Sequence, residues 1–279
     1  MRVMGRETTA QKRDIELTAA VYRRGLARFV ERVEELGEAS WRGSAGDEFH
    51  RVLAHLAVAQ ENGLQLIRES LNGRVTLPEA GTVSKDGSEA EFMEESPTGL
   101  LAHVERVVEK QIAILLALAD DGLLETPAVV PEWRYPGNLG RLFDHLYVHL
   151  VVHYEEIRSA VGGPFAPWFE AWMPEASNDF YDRLFRVVPL VYNREGLAEQ
   201  EVGQAAICVD LMQPGGGRWT LLLDVTSARS ENGCEGETTS TIKAKPREFF
   251  DFFRGQGKRV KISGRGDAAR NLGALFRMT

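Results

Sequence analysis

The chain has 279 residues, 43% of them hydrophobic and 27% charged, with a formal net charge of −8. That length gives room for roughly two domains, each able to bury a core. The acidic balance disfavours nucleic-acid binding, which needs a basic footprint. The longest unbroken apolar run, Ile112 to Ala119, falls well short of the ~20 residues a spanning helix requires. The opening MRVMGRETTAQKRDIE is too polar for a secretory signal. Cys208 and Cys234 make no metal or redox spacing and no disulfide framework, so a reducing cytoplasm is the expected compartment.

The first part of the chain reads as four amphipathic helices. The first is expected from about Gln11 to Glu38, where Val21, Leu26, Phe29, Val30, Val33 and Leu36 recur mostly at three- and four-residue steps. The second runs from about Asp47 to Leu71, and Asn72-Gly73 stops it. A long polar stretch, Arg74 to Glu95, follows; loops of that length inside a domain are often functional. Ser96-Pro97-Thr98 opens the third helix, which continues to Asp120-Asp121-Gly122. The fourth begins near Asn138 and ends at Gly162-Gly163-Pro164. Four long helices with short and medium loops predict a four-helix bundle over residues 1–161.

Residues 162–178, GGPFAPWFEAWMPEASN, read as a linker that packs against something, since free tethers rarely carry two tryptophans. The period then changes. A helix over Asp179 to Tyr192 precedes strand-like runs at Ala205 to Met212, Arg218 to Thr226 and Thr238 to Lys245. Pro214-Gly215-Gly216-Gly217 and Glu231-Asn232-Gly233 are the turn signals between them. Pro246 opens a short helix, Lys258 to Ser263 is a strand, and Gly266-Asp267 leads into a terminal helix ending at Phe276. Residues 179–279 are therefore expected to form an α+β domain with a mainly antiparallel sheet, giving a multidomain α and α+β chain.

All six histidines lie in the first part, and three of them, His145, His149 and His153, follow one another at steps of four on the fourth helix. That spacing sets all three along one side of a helix, neighbours ~5–6 Å apart, within reach of a shared metal ion. Leu142, Phe143, Leu146, Leu150, Tyr154 and Ile157 mark the apolar face. His153 sits at its edge, His149 further out and His145 nearest solvent, so His149 and His153 are the inward pair. A third ligand must come from another helix. The second helix offers His50 and His55, and periodicity alone does not choose between them. His103 has no partner at ligand spacing and reads as structural or solvated. Asp144, Glu155 and Glu156 are candidates to orient ligand histidines, with solvent-facing charge as the plainer reading of each.

At these residues the chain resembles the DinB-like metal-binding four-helix bundles. VLAHL on the second helix is similar to that family's first metal histidine, and DHLYVHLVVHYEEI to its fourth-helix signature. Carried over position by position, the resemblance implies His55, His149 and His153 as metal ligands, with Gln60 where many members carry an acidic residue. The segment from GRWTLLLDV to NLGALF resembles the sterol carrier protein type-two fold. There Phe249, Phe250, Phe252, Phe253 and Leu275 read as ordinary core, and Arg265 and Arg270 as solvated charges. A bundle of this kind followed by such a domain is similar to the architecture of the mycothiol-dependent maleylpyruvate isomerases. In that family the metal binds the thiol cofactor, and its ligand set is histidine–glutamate–histidine, whereas histidine stands at all three positions here.

Three imidazole ligands lead to a divalent metal, zinc first and nickel or iron as alternatives, and the resemblance implies a low-molecular-weight thiol such as mycothiol as cofactor. The expected function is a metal-dependent thiol enzyme, either an S-transferase or a thiol-dependent isomerase acting on a small electrophile. Two other functions are open: a metal-dependent hydrolase at the same site, and a non-enzymatic carrier of an apolar ligand in the second domain, with the bundle as an oligomerisation module. The expected partners are a small-molecule substrate and the thiol, with no nucleic acid and no membrane span. Bundles of this kind often pair through helices, which adds a homodimer to the expectations.

Overall fold

The alternation of apolar and charged positions in the first part of the chain becomes helix, with turns and one short ribbon between the helices. The computed structural model describes residues 14–20, 22–24, 26–27, 30, 44–73, 90–130, 133, 135, 137–161, 174–192, 204–255, 260–265 and 267–276, with backbone alone at 44–46, 154–161 and 174–176. By its internal packing the chain divides into two compact units, Met1–Pro131 with Gly137–Pro167, and Glu132–Pro136 with Trp168–Thr279.

In the first unit, helix α1 occupies the described residues between 14 and 30. Three more helices follow: α2 (Ser44–Leu71), α3 (Pro97–Asp120) and α4 (Leu139–Val161). Their termini follow local chemistry. Ser96 Oγ accepts the Gly99 amide at 3.1 Å with Pro97 in the first turn of α3. Asn138 Oδ1 accepts the Arg141 amide at 2.9 Å at the start of α4. Each helix turns one stripe inward: Leu53, Leu56, Leu64 and Ile67 from α2, Leu100, Val104, Val108, Ile112 and Leu115 from α3, and Leu142, Leu146 and Leu150 from α4 are all buried. Gly63 lets α2 and α4 approach closely, since a Cβ there would lie 2.5 Å from Leu146 Cδ2. A two-stranded ribbon that sequence reading missed, β1 (Pro127–Ala128) with β2 (Gly137–Asn138), leads into α4. The end expected for the first helix at Glu38, and residues 74–89 of the polar stretch, lie outside the described residues.

The second unit opens with α5 (Pro174–Val187), continued by a 3₁₀ turn over Val188–Leu190. The helix starts five residues before the expected Asp179, because Pro174 fits a first helical turn. The remainder of the expected linker, 162–173, lies outside the described residues. Five strands follow, β3 (Gln204–Leu211), β4 (Arg218–Asp224), β5 (Ala228–Asn232), β6 (Ser240–Ala244) and β7 (Lys261–Gly264), in the sheet order β5-β4-β3-β6-β7. Every pairing is antiparallel except β3 with β6. Helices α6 (Pro246–Phe253), α7 (Asp267–Arg270) and α8 (Leu272–Leu275) complete the unit. The terminal helix is thus two short pieces, broken at Asn271.

The aromatic side chains form the core of this unit. Phe185 lies 5.0 Å from Trp219 and Tyr181 5.7 Å from Phe249, ring centre to ring centre. Trp219 Nε1 donates to Asp182 Oδ1 at 2.7 Å, fixing α5 on β4. Phe249, Phe250 and Leu275 are buried as expected of core, whereas Phe252 and Phe253 are half-buried. Arg265 is exposed, and Arg270 is exposed and paired with Asp267 at 3.0 Å.

Two expectations for the sheet are overturned. Of the expected turn Glu231-Asn232-Gly233, the first two residues are the end of β5, with Asn232 opposite Trp219, and only Gly233 turns the chain. The edge strand is mostly exposed and carries no apolar alternation, so its sequence reads as loop. The tight turn lies instead at Thr226 and Ser227, whose amides donate to Asp224 Oδ1 at 2.6 and 2.7 Å. The hydrogen bonds of Thr226 and Ser227 lower the Asp224 pKa to about 2. A group with a lowered folded pKa contributes stability above its unfolded value of ~3.9 and loses it as the pH falls towards the folded one. In a carbon-detected NMR titration the Asp224 carboxyl is therefore expected to titrate near pH 2, and a midpoint near 4 would show the turn unformed.

The second overturned expectation is that of unpaired cysteines. Cys208 on β3 and Cys234 just beyond β5 form a disulfide, their Cα atoms 5.5 Å apart. After β5 the chain turns at Gly233, in the left-handed region at φ 87°, and folds back over β4. Thr220 Oγ donates to the Gly233 carbonyl at 2.7 Å and secures that return. Two cysteines separated by 26 positions give no linear sign of such a meeting, and the compartment argument built on free thiols falls with it.

Candidate metal centre

His55 lies mid-way along α2, while His149 and His153 occupy successive turns of α4. The close approach of these helices brings the three imidazoles together. His149 Nε2 stands 3.3 Å from His55 Nε2 and 3.0 Å from His153 Nε2. One donor atom from each residue lies within 4.8 Å of the others, and all three side chains are half-buried. The rings of His55 and His153 meet edge to face at 4.7 Å, as do those of His149 and His153 at 4.2 Å.

Proton chemistry alone accounts poorly for this arrangement. A ring nitrogen carries either one hydrogen or one in-plane lone pair. His149 Nε2 cannot make a well-aligned hydrogen bond to both neighbours at once, yet it faces both at hydrogen-bonding distance. A single cation takes a lone pair from each. Two nitrogens ~2.0–2.1 Å from a tetrahedral zinc ion stand ~3.3–3.4 Å apart, and closer still around an octahedral ion. The observed 3.0 and 3.3 Å match those separations. The donor set therefore fits a divalent metal.

The other sequence-derived candidates divide clearly. Of the two histidines on α2, His55 joins the cluster, and His50 Nε2 instead bonds the Glu95 carbonyl oxygen at 2.8 Å. His145 is half-buried, its ring centre 6.1 Å from that of His149. His103 Nε2 lies 3.1 Å from Glu61 Oε1, apart from the cluster. Asp144 departs from its solvent-facing reading, for it is buried at 2% exposure with Arg141 Nη1 3.4 Å away. It lies on the buried stripe of Tyr147, Val148 and Val151, three, four and seven residues on, and the Arg141 guanidinium offsets the burial of its charge. The Glu155 and Glu156 side chains lie outside the described residues.

Gln60, where the resemblance leads one to look for an acid, is fully buried. Tyr22 on α1 is fully buried as well, and burial pushes its phenol well above the ordinary tyrosine range. Sequence reading singled out neither as part of a polar interior, because each stands at an inward position of an otherwise regular amphipathic helix.

No protein-family model matches the chain, and no curated protein sequence matches it. Among solved structures it is similar to mycothiol-dependent maleylpyruvate isomerase, with a TM-score of 0.51 at 14% identity over 89% of this chain and 92% of that one. The chain shares that fold. A mutant of the isomerase gives a TM-score of 0.53 at 12% identity, with the same coverage. At this level of identity the likeness is one of fold, and it agrees with the resemblance drawn from the histidine and sheet motifs. No helix among the described residues is long and apolar enough to cross a membrane.

Proposed function

We propose that this protein is a metal-dependent enzyme that uses a low-molecular-weight thiol on a small electrophile, as an S-transferase or a thiol-dependent isomerase. The observation that carries the reading is the convergence of three imidazole nitrogens from two helices. His55, His149 and His153 would hold the ion, leaving a coordination position for an outside ligand. Zinc suits the donor set best, with nickel and iron also compatible with imidazole. A divalent ion held there would supply Lewis acidity that stabilises a thiolate, the nucleophile needed for an electrophilic carbon.

The chain's own part is to present neutral donors at fixed spacing and to keep its own sulfur out of the reaction. Cys208 and Cys234 are joined to each other in the second unit, so the reacting thiol must come from solution. The fold shared with a mycothiol-dependent isomerase supports a thiol of that class.

The test is turnover of a panel of activated alkenes, epoxides and alkyl halides with a low-molecular-weight thiol. The expected result is thiol-dependent conversion, either consuming the thiol or leaving it unchanged in an isomerisation. A chelator should abolish the conversion, and an added divalent ion should restore it. A chelator-sensitive rate without thiol would point to hydrolysis instead. No rate above the uncatalysed background would sink the thiol reading.

A further inference from the structure

We propose that the bundle core, about one and a half turns from the histidine cluster, encloses an internal water site formed by Tyr22, Gln60, Gln111 and Tyr147. Each of the four helices contributes one of these side chains, and each is fully buried.

Their common level follows from the contacts between helices. Along α2, His55 meets His149 and His153 of α4, whereas Gly63, eight residues on, meets Leu146. The two helices therefore run antiparallel, and Gln60, between those contacts, lies level with Tyr147. Tyr147 meets Tyr22 of α1 edge to face, ring centres 5.4 Å apart. Gln111 of α3 donates its Nε2 hydrogen to the Gln60 carbonyl oxygen at 2.7 Å. On the outside, Arg23 and Glu109 form a two-pronged ion pair with contacts of 2.8 Å, which holds α1 and α3 in register at the same height. The four polar side chains thus share one layer, and Gln60 stands roughly 7.5 Å along α2 from His55.

The layer is not closed by the protein's own hydrogen bonds. Gln60 Oε1 and Nε2, Gln111 Oε1 and the Tyr22 hydroxyl have no protein partner among the described residues. Buried polar groups are almost always satisfied, and several left unsatisfied together would consume a large fraction of a domain's stability. The complementary ligand follows from the groups themselves. The two amides and the Tyr22 phenol are neutral and offer both donors and acceptors. An anion would find no charge to meet among them. Water has the required size, neutrality and dual hydrogen bonding, and buried waters of this kind make two to four bonds to such groups.

Two readings test the proposal, neither of which depends on metal or thiol. Water–protein cross-relaxation NMR on the full chain is expected to show long-lived water at the Gln60 and Gln111 side-chain amides. Tyr22→Phe removes a hydroxyl bonded to that water and is expected to lower the thermal midpoint by about 2–4 °C. A dry layer gives the opposite sign, because deleting an unsatisfied buried hydroxyl stabilises. Cross-peaks together with a lowered midpoint support the water site. Absence of the cross-peaks, or a raised midpoint, overturns it. The NMR reading is made on the unsubstituted protein and decides the matter even if Tyr22→Phe does not fold.

Discussion

Replacing His55, His149 or His153 singly by alanine is expected to reduce affinity for the divalent ion by at least about a hundredfold and to abolish thiol-dependent turnover. In the proposed site the three nitrogens form one donor set, so loss of any one would leave two ligands. The helices themselves should survive. Alanine is the best helix former, and the three rings are only half-buried, so circular dichroism should be unchanged. His145→Ala is the informative control. Its ring touches that of His149 without joining the cluster, and it should cost about tenfold or less in metal affinity. Equal losses at His145 and His149 would mean that the site extends along α4 and that the ligand assignment is wrong.

Opening the Cys208–Cys234 link has the next largest expected effect. The bond closes a loop of 26 residues between a central strand and the return from the sheet edge. On the chain-entropy account, a loop of that length corresponds to about 3.5 kcal/mol of stability. Cys208→Ala combined with Cys234→Ala should lower the unfolding free energy by about that amount in a denaturant titration. Reductant should bring the parent close to the double variant and leave the variant itself unaffected. Two titratable thiols in the native, unreduced parent, with stability indifferent to reductant, would contradict the link.

Much of the bundle was legible because its signals are local. Ser96-Pro97 fixes a helix start and Asn72-Gly73 a helix end, and apolar steps of three and four select the buried stripe. The inward pair His149 and His153 follows from the same periodicity. The choice of His55 over His50 does not, since it depends on how two helices pack, and there the family resemblance supplied the third position. What stayed hidden in the sequence is long-range or edge-like. Strand β5 carries no alternation because one edge of the sheet is left to solvent. Cys234 reaches Cys208 only after the chain folds back at Gly233, and that return has no linear spacing to reveal it. Asp144 is buried despite its charge, with Arg141 close by. Gln60 and Tyr22 look like interruptions of an apolar stripe until the four helices are assembled, when they share a layer with Gln111 and Tyr147.

The most direct test of the proposed metal chemistry is the metal content of the protein, by elemental mass spectrometry after purification without a metal-affinity tag. The expected result is close to one equivalent of a divalent transition ion per chain. A parent that contains none, and takes up neither zinc nor nickel nor iron when these are added, would contradict the metal centre and the thiol chemistry proposed from it.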